Sequence, residues 1–501
     1  MSRIKRNVLA NLAGGVWTSV LSLLFVPLYL RYLGIEAYGL MGFFATLMAV
    51  FGLLDLGLGM TLNRGLARLS VRPDNIDVQR DLLRTLEIIY WSISAVAGLI
   101  IFFAAGPIAA RWVHAEHLSV ESIRTTVRLM GLVSALQFPY ALYQAGLMGL
   151  QRQVLVNVVS MISGTMRTAG AVLVLAFVSP TIEAFFAWQA MVMFLQLGAI
   201  LLATWRSVAA PTTPHFRKSM LRDEWRFAAG VSANAIIGVF LTQSDKLLLS
   251  GLLPLSHFGY YALAGTVAAA LWWVIVPVNA ALFPRFAQLI ELRDDFRLVE
   301  LYHTACQFVA VIILPIGATL ALFPRAIILI WTHNATTASM TAPIVTLLVA
   351  GTCCNGLVSV PTYLQSAAGW PQLTMYSNLV SAVLLVPAIF FMATNFGAQG
   401  AAAVWLVLNL GYLFVTVPIM HRRLLVSEKW RWYREDVFAP LAAVAIVGAL
   451  ARLLYREEAS QLVQFLFVGC AFVTMAAAAL LVAPRARNTT LRSLRRQETL
   501  A

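Results

Sequence analysis

Arg167 interrupts an apolar run, 154–178, that is otherwise long enough to cross a bilayer. At 1.5 Å per residue from the near end of that run it lies roughly 20 Å in, close to the middle of a membrane. An ionised side chain is costly there unless it faces a cavity or a partner. Asn157, Ser160, Gly164 and Ala171 recur with it at three- and four-residue spacing, a small and polar stripe on an apolar helix. A guanidinium so placed can hold a phosphate through two parallel hydrogen bonds. It can also be satisfied by carbonyls or a carboxylate of a neighbouring helix, and the sequence leaves both readings open.

Asn11, Gly15, Thr18 and Ser22 form a similar stripe in the first run, which ends at Pro27 and Arg31. In the second, Asp55, Gly59 and Asn63 share one face, with Arg64 beside them. Asp55 reads either as a cation or proton site or, more ordinarily, as the partner of a nearby arginine. Small residues by themselves also permit close helix packing. In the seventh run Gln243, Asp245 and Lys246 lie near one end. Adjacent helical residues diverge by about 100°, so Asp245 and Lys246 cannot both face one partner, and Lys246 could simply snorkel to the surface.

Other chemistry is weakly encoded. His114 and His117 resemble half a zinc site but have no further ligand set, so no metal is expected. Asp294 and Asp295 sit in a basic loop and read as solvated. No Gly-rich phosphate loop followed by Lys and Ser or Thr exists, which argues against nucleotide hydrolysis. Cys306, Cys353, Cys354 and Cys470 fall in apolar runs without metal or disulfide spacing.

The elements that must position these residues follow from composition. The chain has 501 residues, 60% apolar and only 12% charged, with a mean hydropathy of +0.80. That is an all-α polytopic membrane protein with no room for a soluble catalytic domain. Fourteen apolar runs are expected to span: 8–30, 37–62, 85–109, 129–150, 154–178, 182–205 and 227–249, then 258–283, 302–323, 342–363, 373–394, 398–420, 437–454 and 462–483. The stretch 325–331 reads as a short interfacial helix. The net charge of +14 would suggest nucleic acid in a soluble protein, but in a membrane chain it suggests cytoplasmic loops against anionic lipid, so no nucleic-acid partner is expected. With the N-terminus inside, about 27 of the 36 basic residues fall in cytoplasmic segments, an asymmetry that predicts both termini in the cytoplasm.

A shift of 220 residues pairs the segment from Leu33 to Gly39 with that from Leu253 to Gly259. It also pairs Thr46 with Thr266, Tyr143 with Tyr363 and Gly149 with Gly369. Two parallel six-helix lobes are therefore expected, 1–205 and 227–420, joined by a basic cytoplasmic linker, 206–226. Residues 421–501 would add two helices and a basic tail.

Three stretches carry a resemblance: Leu33-Gly-Ile-Glu-Ala-Tyr-Gly-Leu40, Gly52-Leu-Leu-Asp-Leu-Gly-Leu-Gly59 and Asn63-Arg-Gly-Leu-Ala-Arg68. With Ser244-Asp-Lys-Leu-Leu-Leu-Ser-Gly251, Gly259-Tyr-Tyr261 and Leu282-Phe-Pro-Arg-Phe286, they resemble the bacterial polysaccharide exporter family. Those proteins are flippases within the multidrug/oligosaccharidyl-lipid/polysaccharide exporter superfamily. The resemblance implies two lobes in a V around a cationic cavity and alternating access. The implied substrate is a polyisoprenyl pyrophosphate oligosaccharide carried across the bacterial inner membrane for O-antigen, capsule or exopolysaccharide. It makes Arg31, Arg64, Arg167, Lys246 and Arg285 candidates to attract the pyrophosphate. Asp55 and Asp245 become candidates for coupling to a proton or sodium ion, with no other cofactor expected. Candidate protein partners are a polysaccharide polymerase and chain-length proteins.

A multidrug or cation antiporter and a lipid II flippase share the architecture, although a cationic drug would prefer acidic excess and the charges here lean basic. A membrane polymerase or ligase is a more distant alternative, since such enzymes have a long external loop. A transporter rather than an enzyme is the expectation.

Overall fold

The computed structural model describes residues 3–71 and 73–489, with side chains at 11, 13–71, 74–220 and 236–489. Arg72, Arg492, Arg495 and Arg496, and the side chains of Arg3, Lys5, Arg6, Arg222 and Arg226, all used in the charge asymmetry, lie outside that description. The described chain is helical, with one isolated bridge between His114 and Pro254. It divides into two compact units, Met1–Gly259 and Tyr260–Ala501.

The first unit holds α1 (Arg3–Leu24), α2 (Val26–Gly52), α3 (Leu58–Leu69), α4 (Ile76–Pro107), α5 (Val120–Gly149), α6 (Gln153–Phe177), α7 (Ile182–Ser207) and α8 (Lys218–Leu252). It also takes the first turn of α9 (Leu255–Ala269). The second holds the rest of α9, α10 (Trp272–Glu291), α11 (Asp295–Leu322), α12 (Pro324–Thr332), α13 (Ala335–Ala367) and α14 (Gln372–Gly411). A π-helix, Tyr412–Thr416, leads into α15 (Val417–Arg423). After α16 (Lys429–Arg431) a second π-helix, Trp432–Phe438, leads into α17 (Ala439–Leu454), and α18 (Gln461–Val482) follows.

Ten helical stretches among the described residues are long and apolar enough to cross a membrane. One of them, Gln372–Arg423, carries two of the expected runs, because Gly397 at φ 60° folds α14 back on itself. The expected run 37–62 is not one continuous helix. It breaks at a short 3-10 turn, Leu53–Asp55, followed by left-handed Leu56 and Gly57. The chain then restarts as α3, which at about 18 Å is too short to cross alone. Leu58, Leu62 and Leu66 recur every four residues on its buried face, while Arg64 and Arg68 are exposed on the other. The stretch 325–331 falls in α12, nine residues long and opened by Pro324 at its first turn.

Between lipid-facing helices apolar burial gives little driving force, so close packing and hydrogen bonds carry the fold. Leu62, Leu66, Leu83, Tyr90, Tyr143 and Leu147 are almost fully buried where α3, α4 and α5 meet. The segment after α7 is fastened to the start of α4. The Asp81 carboxylate accepts from the His215 amide at 2.7 Å and pairs with Arg217 at 2.7 Å, and the Arg217 amide donates to Thr85 at 2.9 Å. The motif residue Glu36 is structural too: its buried carboxylate accepts from the amides of Glu116, His117 and Leu118 at 2.9–3.1 Å and so fixes the loop before α5.

The 220-residue shift has a physical counterpart. It carries the start of α4 onto that of α11, and of α6 onto that of α14, within one residue. Thr46 donates to the Gly42 carbonyl at 3.1 Å, and Thr266 repeats this on Ala262 at 3.0 Å. Within the first unit the paired glycines meet: Gly39 lies against the Leu255 carbonyl, and Gly259 against the carbonyl of Ile35. A Cβ on Gly39 would stand 2.7 Å from that oxygen, so only glycine lets the backbones approach this closely.

Candidate functional site

Helix α6 is flanked by α1 on one side and by α7 on the other. Its polar stripe is shared between them. Asn157 donates to Asn11 at 2.6 Å, Asn11 donates to Gln153 at 2.9 Å, and Gly164 packs against Thr18. Along the other edge of the stripe Ser160 meets the Tyr140 hydroxyl of α5 at 3.1 Å, and Arg167 turns toward α7. Its guanidinium donates to the side-chain oxygen of Gln196 and lies 3.5 Å from the sulfur of Met193. The neighbouring Gln189 side chain donates to the Arg167 backbone carbonyl at 3.1 Å, and Nε of Arg167 is buried with no hydrogen-bond partner. Among the described residues no ion pair to Arg167 is found. Its partner is therefore a neutral amide that orients the guanidinium without cancelling its charge.

Asp55 occupies the break between α2 and α3. One carboxylate oxygen accepts from the Tyr90 hydroxyl of α4 and from the Gly59 amide, at 3.2 Å, in the first turn of α3. The exposed amides of a helix start favour a carboxylate there. Among the described residues the hydrogen-bond partners of Asp55 are thus a tyrosine and a helix terminus, and no arginine is paired with it. Asp55, Gly59 and Asn63 do come together, around a cavity of about 400 Å³ that Gln144 of α5 also lines. Arg64 is exposed on α3 next to Asn63. Arg31 is exposed on α2, two residues past Tyr29, whose hydroxyl donates to the Thr168 carbonyl at 3.1 Å. Lys246 donates to Gln243 at 3.3 Å one turn back on α8, and Asp245 beside it is half-buried. Six of the seven candidates thus belong to the first unit, and Arg285 to the second. There Arg285 is exposed, donates to Gln288 at 3.1 Å, and lines a cavity of about 270 Å³ with Arg297 and Glu300.

Several polar groups buried in the spans escaped the sequence reading. Glu87 of α4 accepts from the Tyr143 hydroxyl at 2.5 Å and from Trp205 at 3.1 Å, and pairs with Arg84 at 2.7 Å. In the second unit His303 of α11 is fully buried between Asp436 and Glu428, with 2.9 Å to the latter. Gln307 donates to Asp436 at 2.9 Å and accepts from the Arg485 amide at 3.0 Å. That network ties α11 to the π-helix before α17 and to the segment after α18. The signal available for both sites was a titratable residue inside or beside an apolar run. No cluster of His, Cys, Asp or Glu among the described residues has a metal-binding arrangement.

The family model for polysaccharide biosynthesis proteins matches residues 4–290, more than half of the sequence. The chain belongs to that family. A candidate O-antigen transporter of Shigella flexneri is 22% identical over 409 residues, covering 81% of this chain and 94% of that protein. The lipid II flippase MurJ in an inward-closed conformation superposes with a TM-score of 0.70 at 12% identity, over 94% of this chain and 98% of that one. An inward-facing multidrug resistance transporter of the MATE family, in the MOP superfamily, gives 0.59 at 14% identity over 83% and 96%. This member of the polysaccharide biosynthesis family thus has the all-α exporter fold of that superfamily and is a multi-pass membrane protein.

Proposed function

We propose that the protein is a flippase moving polyisoprenyl-pyrophosphate-linked oligosaccharide repeat units across the bacterial inner membrane for surface polysaccharide assembly, with both termini in the cytoplasm. The observation that carries the reading is Arg167, a permanent cation in mid-span whose partner is the neutral Gln196. Family membership and the likeness to a candidate O-antigen transporter support the class of cargo. A pyrophosphate needs fixed positive charge where water is scarce, and a guanidinium held on one edge by an amide keeps its other donors for phosphate oxygens. Arg31, Arg64, Lys246 and Arg285 would add attraction along the path.

Segments 1–205 and 227–420 would rock as lobes, giving alternating access, with 421–501 as an accessory pair of helices. Asp55 would take the coupling proton or sodium ion, since its carboxylate borders a cavity lined by amides, with Asp245 as a second candidate. A lipid II flippase is the second reading, favoured by the likeness to MurJ over nearly the whole chain.

The test is translocation of fluorescent lipids in proteoliposomes holding the purified protein. A polyisoprenyl pyrophosphate oligosaccharide and lipid II are offered separately and together, and loss of fluorescence to an impermeant quencher reports the exposed leaflet. The proposal expects the oligosaccharide lipid to move faster. Movement of lipid II alone transfers the protein to the second reading. Export of a small cationic dye with neither lipid moving would make it an antiporter.

A further inference from the structure

The second unit contains a polar cavity beside an apolar groove, neither of them lined by a charged candidate named above. The cavity, about 220 Å³, is walled by α10, α13, the first half of α14 and the π-helix Tyr412–Thr416. Its polar lining includes Asn279, Asn355, Ser359, Thr362, Asn378 and Tyr412, and no Asp, Glu, Lys or Arg lines it. Most of these groups are already paired. Asn355 donates to Asn409 at 2.6 Å, the Tyr412 hydroxyl donates to Asn378 at 3.0 Å, and Thr416 donates to Ser377 at 3.2 Å. Asn279 is the exception: its residue is 1% exposed, and its side-chain oxygen has no hydrogen-bond partner. A buried amide oxygen in a membrane span is costly to leave unpaired, so the position calls for a donor.

The groove lies next to it. It measures about 500 Å³ and is lined by Val380, Leu384 and Ala388 from one half of α14 and by Val404, Val407 and Leu408 from the other. The left-handed Gly397 makes this possible, because it folds the helix so that both halves wall the same groove. Ser377, Tyr412 and Thr416 line the groove and the cavity alike. The backbone at that junction is π-helical, a local widening that recurs at functional sites.

We propose that this groove and cavity together bind a neutral glycolipid of the surrounding bilayer, one chain in the groove and the sugar ring in the cavity. The groove supplies only apolar contact along Val380, Leu384, Val404 and Val407. The cavity supplies hydroxyls and amides, which match the mixed donors and acceptors of sugar hydroxyls, and the Asn279 oxygen accepts one of them. A phosphate head would find no cation there, and a cationic head no carboxylate. The site is thus distinct in chemistry from the Arg167 path and does not depend on the flippase reading.

The experiment is native mass spectrometry of the purified full-length protein with monoglucosyl diacylglycerol, diacylglycerol, phosphatidylglycerol and phosphatidylcholine, each added alone and in competition. The proposal expects monoglucosyl diacylglycerol to be retained about tenfold more strongly than the other three. Asn279→Leu and the milder Asn279→Ser should each remove most of that preference, and Val407→Trp should block binding by filling the groove. Equal retention of all four lipids by the native protein overturns the proposal, whether or not the variants fold. So does native selectivity in folded Asn279→Ser, which would leave water as the only partner of that oxygen. Displacement of the glucolipid by a polyisoprenyl pyrophosphate oligosaccharide would overturn its separateness from the transport path.

Discussion

Replacing Gly39 by alanine would place a methyl group 2.7 Å from the Leu255 carbonyl oxygen, 3.0 Å from the Leu255 side chain and 3.3 Å from the Gly259 amide. Two of these three neighbours are backbone atoms, so no rotamer change relieves the clash, and α2 and α9 must separate by several tenths of an ångström. Overpacking of this kind costs about 1–3 kcal/mol. Alanine also returns roughly 0.5–1 kcal/mol over glycine in a helix, which leaves a net loss of about 0–2.5 kcal/mol. Gly265→Ala supplies the control, because nothing lies within 4 Å of a Cβ there and only the propensity gain applies. Gly259→Ala meets the Ile35 carbonyl in the corresponding way and still more closely, and should cost at least as much as Gly39→Ala. Once either methyl has pushed the helices apart the second has less to displace, so the double variant should fall short of the sum of the singles. The assay is the apparent melting temperature of the detergent-purified protein by intrinsic fluorescence. Single variants that melt with Gly265→Ala, or a double variant whose loss equals the sum, would refute the close packing and its coupling.

Three further outcomes follow from the buried polar groups. Gln196→Leu strips the Arg167 guanidinium of its amide partner and should cost roughly 1.5–3 kcal/mol, read as a lower melting temperature that Arg167→Leu in the same chain largely restores. Glu36→Gln exchanges a carboxylate accepting from three amides for a neutral group, one edge of which donates; it should cost roughly 1–2 kcal/mol and expose the 113–119 loop to limited proteolysis. His303→Leu leaves Asp436 buried beside Gln307 with Arg485 at 3.8 Å, and should cost about 3–5 kcal/mol, seen as a collapse of folded yield on size exclusion.

Apolar run length was enough to place helices, because in a bilayer every backbone amide must be paired within the segment and apolar length is therefore nearly a structural statement. The 220-residue repeat was legible for a related reason: Gly39 and Gly259 are fixed by a contact only glycine permits, and that leaves a mark in the sequence. The break after Asp55 was not legible. Leu56 takes φ 47° beside a glycine in a stretch whose hydropathy is unbroken, and hydropathy carries no information on φ. Partner identity was hidden as well. Asp55, Gly59 and Asn63 line one cavity although the helix whose face they were expected to share breaks after Asp55, and the choice of Tyr90 as a partner of Asp55 depends on how α4 packs, which no local pattern encodes. His303 went unnoticed because its partners Glu428 and Asp436 lie more than a hundred residues away.

The central claim is that the charge of Arg167 meets the phosphates of a lipid-linked glycan. Its most direct test is the initial rate of polyisoprenyl pyrophosphate oligosaccharide translocation in proteoliposomes for the native protein, Arg167→Lys and Arg167→Gln, each checked for native-like melting. Loss of a bidentate guanidinium–phosphate contact should slow Arg167→Gln by about a hundredfold, with Arg167→Lys between the two because a point charge keeps part of the attraction. A folded Arg167→Gln that translocates at the native rate would contradict the account and make Arg167 a structural partner of Gln196.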